Sequence, residues 1–346
     1  MKLWAWQSVL LGGDKICFFR WRTPRYGTEQ FWHGLIPHHG NPANRYKELL
    51  HFSSELSKVQ NILENAEINS RIAIIYDIDS LWALEHQPQS LQGFSYIGIA
   101  KLFTEAFRLL GHTLDIVSSS GNFEKYELIV FPSQFVADED ISRRLRTYIE
   151  NGGKVILGPR SGVKERDNSV VNQSLPGVFQ DLAGICINDY DPVGSRQNSK
   201  VSVSGCNLDK VKVAGIADII DPEIGTDILL TYQGIWYSGK AAATIKKKND
   251  GCCLYLGTLF EAKEMSIFLI NSGLINRRIK EMPENVEIFE LQCPNEDVVA
   301  ILNYSSTEKI VELEKRSFDI FNASIIEDEI KIPAYDIKLI KSIQEQ

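Results

Sequence analysis

Apolar and polar residues divide the chain into three segments, of which the first is residues 1–64. Helical patterns cover residues 3–11, which end at two glycines, and residues 45–64, where apolar side chains recur at near-helical spacing. Between them, residues 15–21 are mostly apolar, which predicts a short strand buried on both faces of a parallel sheet. A loop rich in Gly, Pro and His follows up to residue 44, so this segment predicts about one and a half βα units.

The second segment, residues 68–270, alternates between strand and helix patterns, which predicts a parallel, doubly wound sheet. The predicted strands are residues 71–76, 113–117, 128–132 and 154–158, and the predicted helices are residues 97–110 and 138–151. Asp138 is expected to cap the second helix, and Gly152 lies just past its end. Residues 77–96 have no clear periodicity and are expected to be irregular, whereas residues 199–258 are richer in strand patterns.

The third segment, residues 284–346, consists of short alternating stretches separated by residues typical of turns. Strands are predicted at residues 286–291, 298–302, 310–313, 318–320 and 336–340. Short strands at this regular spacing are typical of a small antiparallel β-sandwich.

The composition is globular, with 44% hydrophobic and 24% charged residues, and the net charge of −8 argues against nucleic acid or an anionic membrane as partner. No apolar run reaches the roughly 18 residues of a membrane helix, and no signal peptide is recognised. The six cysteines are scattered without a Cys-x-x-Cys pair, which predicts reduced thiols in a cytoplasmic protein. No metal cluster or phosphate-binding loop is recognised, so we expect neither a metal nor another cofactor.

Aromatic and histidine residues are concentrated near the beginning of the sequence. Four of the six Trp lie in the first 32 residues, and five of the six His precede residue 87. Trp, His and Arg side chains together suit a sugar site, because rings stack on pyranose faces while polar groups bind the hydroxyls. The alternative is an aromatic segment that belongs to a core.

Two adjacent motifs in this region resemble a known family. Residues 18–22 (Phe-Phe-Arg-Trp-Arg) and residues 27–34 (Gly-Thr-Glu-Gln-Phe-Trp-His-Gly) resemble the last barrel strand and following loop of the β-galactosidases of glycoside hydrolase family 42. The helix pattern before them is similar too, as are residues 37–40 (Pro-His-His-Gly) and residues 45–48 (Arg-Tyr-Lys-Glu).

This resemblance implies an architecture for the whole chain. Residues 1–64 would be a remnant of the last βα units of a (β/α)8 barrel. Residues 68–270 would be a flavodoxin-like domain, similar to class I glutamine amidotransferases, that forms a homotrimer. Residues 284–346 would be the C-terminal β domain.

The resemblance also bears on catalysis. The family hydrolyses terminal β-D-galactosides with retention, which requires a nucleophile and an acid/base carboxyl roughly 5–5.5 Å apart. It implies that both of these Glu residues precede Met1. Glu29 has no recognisable carboxyl partner in the sequence, so we expect no catalytic residue in this chain and no activity of the chain alone.

Substrate binding is the role that the resemblance implies for this loop. Phe19 and Glu29, ten residues apart, match the residues that line the galactose subsite of the family. Glu29 can accept two sugar hydroxyls, and Phe19 offers an apolar wall. The more usual pattern has His three residues after this Glu, where this chain has Trp32 followed by His33. Either Trp32 reshapes the subsite or His33 takes the polar role.

Other interpretations of these residues stay open. Glu29 could instead be an ordinary loop carboxylate paired with Arg20 or Arg22. His38 and His39 are expected to be loop or capping residues rather than ligands.

Amidotransferase activity is not expected of the middle segment. That activity requires a Cys on a tight strand-to-helix turn, activated by His. After the strand at residues 154–158 the chain reads Pro159-Arg160-Ser161-Gly162, without a Cys. The sequence therefore predicts the C-terminal part of a β-galactosidase. The alternative is a non-catalytic oligomerisation or carbohydrate-binding protein on the same scaffold.

Overall fold

The computed structural model describes residues 1–64, 66–89, 93–279, 281–294, 296–313 and 315–343. The chain forms two compact units. The first combines residues 1–69 with residues 278–346, and the second is residues 70–277. In the described ranges, no helix has the length and apolar character that crossing a membrane requires.

The helices of the described residues are α1 (Lys2–Leu10), α2 (Asn44–Leu63), α3 (Ile78–His86), α4 (Tyr96–Arg108), α5 (Glu139–Glu150), α6 (Gln180–Ala183) and α7 (Ala262–Asn271). The strands are β1 (Glu67–Ile68), β2 (Ile72–Tyr76), β3 (Leu114–Ser118), β4 (Leu128–Phe131), β5 (Lys154–Leu157), β6 (Ile185–Gly194), β7 (Ser202–Gly205), β8 (Leu208–Lys212), β9 (Ala214–Pro222), β10 (Thr226–Gln233), β11 (Ala241–Lys248), β12 (Gly251–Leu256), β13 (Thr258–Leu259), β14 (Val286–Gln292), β15 (Asp297–Asn303), β16 (Lys309–Glu312), β17 (Ser317–Asp319), β18 (Ser324–Ile326), β19 (Glu329–Ile332) and β20 (Ile337–Ser342).

The second unit is built on a sheet whose central strands are apolar and almost wholly buried, as strands covered on both faces must be. The order β3-β2-β4-β5-β12 is parallel throughout, and β11, β10, β7 and β8 extend it with antiparallel strands. Successive side chains of β2 face opposite sides of the sheet. Ile72 and Ile74 join the core formed with α4 and α7, whereas Ala73 and Ile75 join the core formed with α5.

The first unit contains the antiparallel sheet β1-β14-β15-β20-β17-β18. Helices α1 and α2 pack on one face, where Trp6 is fully buried and its ring centroid lies 5.3 Å from that of Phe52. The ribbon β16–β19 packs on the other face, where Val311 and Ile332 meet Ile301. The first and third sequence segments therefore share one core.

Many of the predicted elements are confirmed, with ends that differ by one or two residues. The helix pattern at residues 45–64 is α2, and the strand pattern at residues 154–158 is β5. Asp138 caps α5, because its carboxylate accepts a hydrogen bond from the Ile141 N–H at 3.0 Å. Capping groups and long periodic stretches are local signals, and the sequence carries them directly.

Two local predictions are wrong. Residues 15–21 form no strand, and the nearest ladder contact in the described loop is an isolated bridge between Arg22 and Ile36. Phe19 and Trp21 are mostly exposed there, so the apolar run does not mark a strand between two layers. Helix α3 lies within the stretch expected to be irregular, and Asp77 caps it by accepting the Ser80 N–H at 2.9 Å.

Candidate functional site

The loop that contains the predicted site residues is closed at its base by hydrogen bonds. The carbonyl of Arg20 accepts the Leu35 N–H at 2.7 Å, and that of Trp21 accepts the Ile36 N–H at 2.8 Å. The buried hydroxyl of Thr23 accepts the Gly34 N–H at 2.8 Å. Residues 24–33 between these contacts are mostly exposed. The backbone thus fixes the ends of the loop and leaves its middle open to solvent.

Arg20 connects Phe19 and Glu29. Its guanidinium carbon lies 4.5 Å from the centroid of the Phe19 ring, and its Nη2 forms an ion pair with Oε2 of Glu29. The Arg20 side chain is 19% exposed, whereas that of Glu29 is 41% exposed. The structure therefore contains the Glu29–Arg20 ion pair that is expected if Glu29 is an ordinary loop carboxylate. A carboxylate has about four acceptor positions, so one ion pair leaves positions for other donors.

Trp32 lies beside Glu29 on a tight turn. The Trp32 N–H donates to the Glu29 carbonyl at 2.9 Å, and the Trp32 side chain is 59% exposed. His33 follows and is exposed. In the described part of the loop no hydrogen bond or ion pair joins His33 to Phe19 or Glu29. The side-chain contacts therefore join Phe19 and Glu29 through Arg20, whereas Trp32 is joined to Glu29 through the backbone and His33 follows it.

His38 and His39 make contacts within the loop, as expected. Nε2 of His38 lies 2.5 Å from the Gln30 carbonyl, and the His38 carbonyl accepts Nη2 of Arg22 at 2.6 Å. Nδ1 of His39 accepts the Asn41 N–H at 3.2 Å. Both imidazoles thus stabilise the return of the chain toward α2.

Chemically, this loop is suited to recognition. Phe19 and Trp32 present exposed rings that can stack on a sugar, and Glu29 presents a partly exposed acceptor. Glu29 is the only carboxylate between residues 15 and 44, so the loop does not hold the pair that glycoside hydrolysis requires. Within the described ranges, no three His, Cys, Asp or Glu residues are grouped as a metal site.

In the second unit, Arg160 occupies the turn after β5, where an amidotransferase would need its nucleophile. Its backbone has a positive φ of 61°, and its side chain is 3% exposed and forms an ion pair with Asp218 at 3.1 Å. An always-charged guanidinium cannot act as a nucleophile.

Comparison with known families identifies the chain. The β-galactosidase trimerisation domain of glycoside hydrolase family 42 matches residues 70–276, and the family 42 β-galactosidase model matches residues 1–59. The chain belongs to glycoside hydrolase family 42. It corresponds to the C-terminal part of this family's enzymes.

Individual relatives agree with this assignment. Beta-galactosidase BgaA of Clostridium cellulovorans is 27% identical over 348 residues, which cover 99% of this chain and 52% of the relative. Beta-galactosidase Bga of Halorubrum lacusprofundi is 33% identical over 201 residues, which cover 58% of this chain and 28% of the relative. The chain spans about half the length of the curated relatives that match it over nearly its full length.

Solved structures show the same mixed α/β fold. The polyextremophilic β-galactosidase from Halorubrum lacusprofundi superposes with a TM-score of 0.86 at 26% identity, covering 99% of this chain and 49% of that chain. The β-galactosidase from Bacillus circulans sp. alkalophilus gives a TM-score of 0.89 at 20% identity, covering 99% of this chain and 52% of that chain. At that identity, the second match concerns the fold alone.

Proposed function

We propose that this chain is part of a β-galactosidase whose complete form hydrolyses terminal non-reducing β-D-galactosides with retention. In this proposal residues 1–64 are the remnant of a (β/α)8 barrel, and residues 284–346 are the C-terminal β domain. The family 42 β-galactosidase match at residues 1–59, ahead of the trimerisation-domain match at residues 70–276, supports the assignment of the first segment.

The middle domain, residues 68–270, is proposed to be flavodoxin-like and to form a homotrimer. When its five parallel strands are numbered by their position in the sequence, their order across the sheet is 2-1-3-4-5. This is the flavodoxin order. The trimerisation-domain match covers nearly the same residues. The six cysteines are all free, which supports a cytoplasmic location, where thiols stay reduced.

Phe19, Glu29, Trp32 and His33 are proposed to contribute to the galactose subsite. The observation that carries this role is that Glu29 stays 41% exposed although it is paired with Arg20, whose guanidinium also lies over the exposed Phe19 ring. Arg20 thereby orients the carboxylate beside an exposed ring while the Glu29 side chain stays 41% exposed. An oriented acceptor next to an apolar surface suits a pyranose, whose hydroxyls donate at its edge while its C–H face packs on a ring.

Binding and turnover by this chain should therefore separate. We expect the chain to bind D-galactose by calorimetry, and Glu29→Gln to weaken this binding by about tenfold, because a neutral amide loses charge-assisted hydrogen bonds. Glu64→Gln, a matched change at an exposed position just after α2, should leave the affinity unchanged. Equal affinities for the three proteins would contradict the role of Glu29.

The same proteins test the catalytic part of the proposal. The chain should not hydrolyse a chromogenic β-galactoside above background, because the loop holds one carboxylate and retention needs two. Rapid turnover that is abolished by Glu29→Gln would contradict the proposal and make Glu29 catalytic. Sugar binding together with trimer formation but without turnover is also what the non-catalytic alternative predicts, so an upstream coding sequence for the rest of the barrel distinguishes the two.

A further inference from the structure

A crevice lies at the carboxyl ends of β2, β3 and β4 in the second unit. The chain leaves β2 toward β3 on one side and later returns to β4 on the other, so the strand order reverses at β2. Open α/β sheets commonly bind ligands outside the strand ends at such a point. The crevice has a volume of about 520 Å³, which lies within the range of small-molecule sites.

Asp77 supplies a buried carboxylate to this crevice. It follows β2 directly and is 7% exposed. Its Oδ2 accepts the Ser80 N–H at 2.9 Å, and its Oδ1 accepts the Ser119 hydroxyl at 2.7 Å. These two bonds use about half of the acceptor positions of a carboxylate. Asp77 is therefore held in place and can still accept from a ligand.

Gln134, after β4, also lines the crevice and is 4% exposed. Its Nε2 donates to the Val136 carbonyl at 2.7 Å, which fixes the orientation of the amide. The remaining Oε1 is buried and has no hydrogen-bond partner among the described residues. Buried carbonyl oxygens are normally satisfied, so this group indicates a missing donor.

The charges of the lining restrict the kind of ligand. The charged residues that line the crevice are Asp77, Asp79, Asp138, Asp140, Arg144 and Arg166. Four carboxylates against two guanidinium groups disfavour phosphate and other anions. A divalent cation is also disfavoured, because no three carboxylates of the described residues are close enough to hold a metal.

Donors and acceptors occur together in the lining. The carboxylates and the side-chain oxygen Oε1 of Gln134 can accept hydrogen bonds. Arg144, Arg166 and the hydroxyls of Ser118 and Ser120 can donate them. Arg144 already donates to the carbonyls of Ser119 and Gly121, and Arg166 forms an ion pair with Asp138, but each guanidinium has five N–H groups and keeps further donors. An ammonium ligand only donates and could not accept from these groups. A hydroxyl both donates and accepts, so several hydroxyls on a compact neutral molecule match the lining.

We propose that this crevice binds a neutral monosaccharide. Ile78 and Ile116, which are 49% and 60% exposed at the same crevice, provide apolar contact for the sugar ring. This site is separate in sequence and in structural unit from the loop of Phe19 and Glu29, and it does not depend on the function proposed for that loop.

The test uses the full chain with 13C-labelled isoleucine methyl groups, which remain observable by NMR at 39.1 kDa per chain. Ile78 and Ile116 report on the crevice, and Ile36 reports on the loop of Glu29. Titration with D-galactose or D-glucose at millimolar concentrations should shift the Ile78 and Ile116 signals saturably. These shifts should persist in Glu29→Gln, whereas any galactose effect on Ile36 should be lost.

Variants of the crevice decide whether the shifts arise from binding there. Asp77→Asn should weaken binding by about tenfold through loss of charge-assisted hydrogen bonds, and Asp181→Asn, the same change at an exposed position on α6, should not. If Asp77→Asn destabilises α3, Ser118→Phe at the exposed rim should block the crevice and abolish the shifts. Absence of saturable shifts with both sugars, shifts unaffected by Ser118→Phe, or a response only to putrescine or inorganic phosphate would overturn the proposal.

Discussion

At the scale of single residues, the most heavily buried charge in the second unit is Asp218. It is 0% exposed and accepts from the backbone N–H of Arg160 at 2.8 Å, from Nη1 of Arg160 at 3.1 Å, and from the Tyr255 hydroxyl at 2.8 Å. Burial and the nearby Asp218 carboxylate raise the pKa of Tyr255 well above its ordinary value, so the phenol stays a donor. The ring of Tyr190 lies 4.1 Å from the Arg160 guanidinium. These contacts connect the turn after β5 to three strands: β9 through Asp218, β12 through Tyr255 and β6 through Tyr190.

Asp218→Asn should strongly destabilise this unit. The substitution leaves the Arg160 guanidinium buried without its counter-charge, which costs about 3–5 kcal/mol of unfolding free energy. Asp221→Asn is the matched control on the same strand, β9, because the ion pair of Asp221 with Lys240 is exposed and contributes about 0–1 kcal/mol. Urea denaturation of the full chain measures both, and equal losses for the two variants would contradict this account.

Residue roles could be predicted from the sequence only where the relevant partners lie close along the chain. The sequence predicts Arg20 or Arg22 as the ion-pair partner of Glu29 if it is a loop carboxylate, because nine or fewer residues separate them in one loop, and the structure has Arg20. The environment of Asp77 could not be predicted, since Ser119 is 42 residues away and reaches it only after β2 and β3 pair.

At the scale of secondary structure elements, the N-terminus of α5 gives a prediction that depends on pH. Burial alone would raise the pKa of Asp138, but the hydrogen bond from the Ile141 N–H and the ion pair with Arg166 outweigh it and lower the pKa below its ordinary value. A lowered folded-state pKa means that the carboxylate stabilises the protein above the unfolded pKa of about 3.9. That contribution is lost as the pH falls through the folded pKa.

Asp138→Ala should therefore cost about 1–2 kcal/mol of unfolding free energy at neutral pH, whereas Asp138→Asn should retain most of the cap. The difference between wild type and Asp138→Ala should shrink as the pH falls below the unfolded pKa, about 3.9. Denaturation curves at neutral and acidic pH check this expectation. A difference that is independent of pH would show that the charge of Asp138 does not stabilise α5.

The correctly predicted elements differ from the wrongly predicted one in whether the signal for the element lies within its own residues. Strands β4 and β5 are mostly apolar, and α5 is strongly amphipathic. Their own residues therefore indicate which side chains face the core and which face solvent. Residues 15–21 are mostly apolar, but a strand also needs a neighbour to satisfy its backbone groups. Such neighbours are distant in sequence. Composition therefore predicted a strand where the described structure has an irregular segment with exposed rings.

At the scale of the whole molecule, the second unit combines exposed apolar side chains with a match to a trimerisation domain. Ile224, Trp236, Val170 and Trp82 are 104%, 74%, 63% and 58% exposed, respectively. Apolar side chains that are exposed singly are normal on a monomer, so their exposure alone does not identify a partner. The match of residues 70–276 to a trimerisation domain makes a second copy of this chain the expected partner, and these side chains are candidates for that contact.

We therefore expect the full chain to form a homotrimer. Soluble homo-oligomers have closed symmetry, and in a ring of three each copy uses two different patches, so scattered apolar sites on one unit are compatible with a threefold assembly. A stable contact of this kind should bury about 2,000 Å² or more per pair. Sedimentation equilibrium at micromolar concentration should give a mass three times the 39.1 kDa of one chain. A single species at the monomer mass across that range would refute the trimer, whereas a mass that rises with concentration would indicate a weaker interface of the same kind.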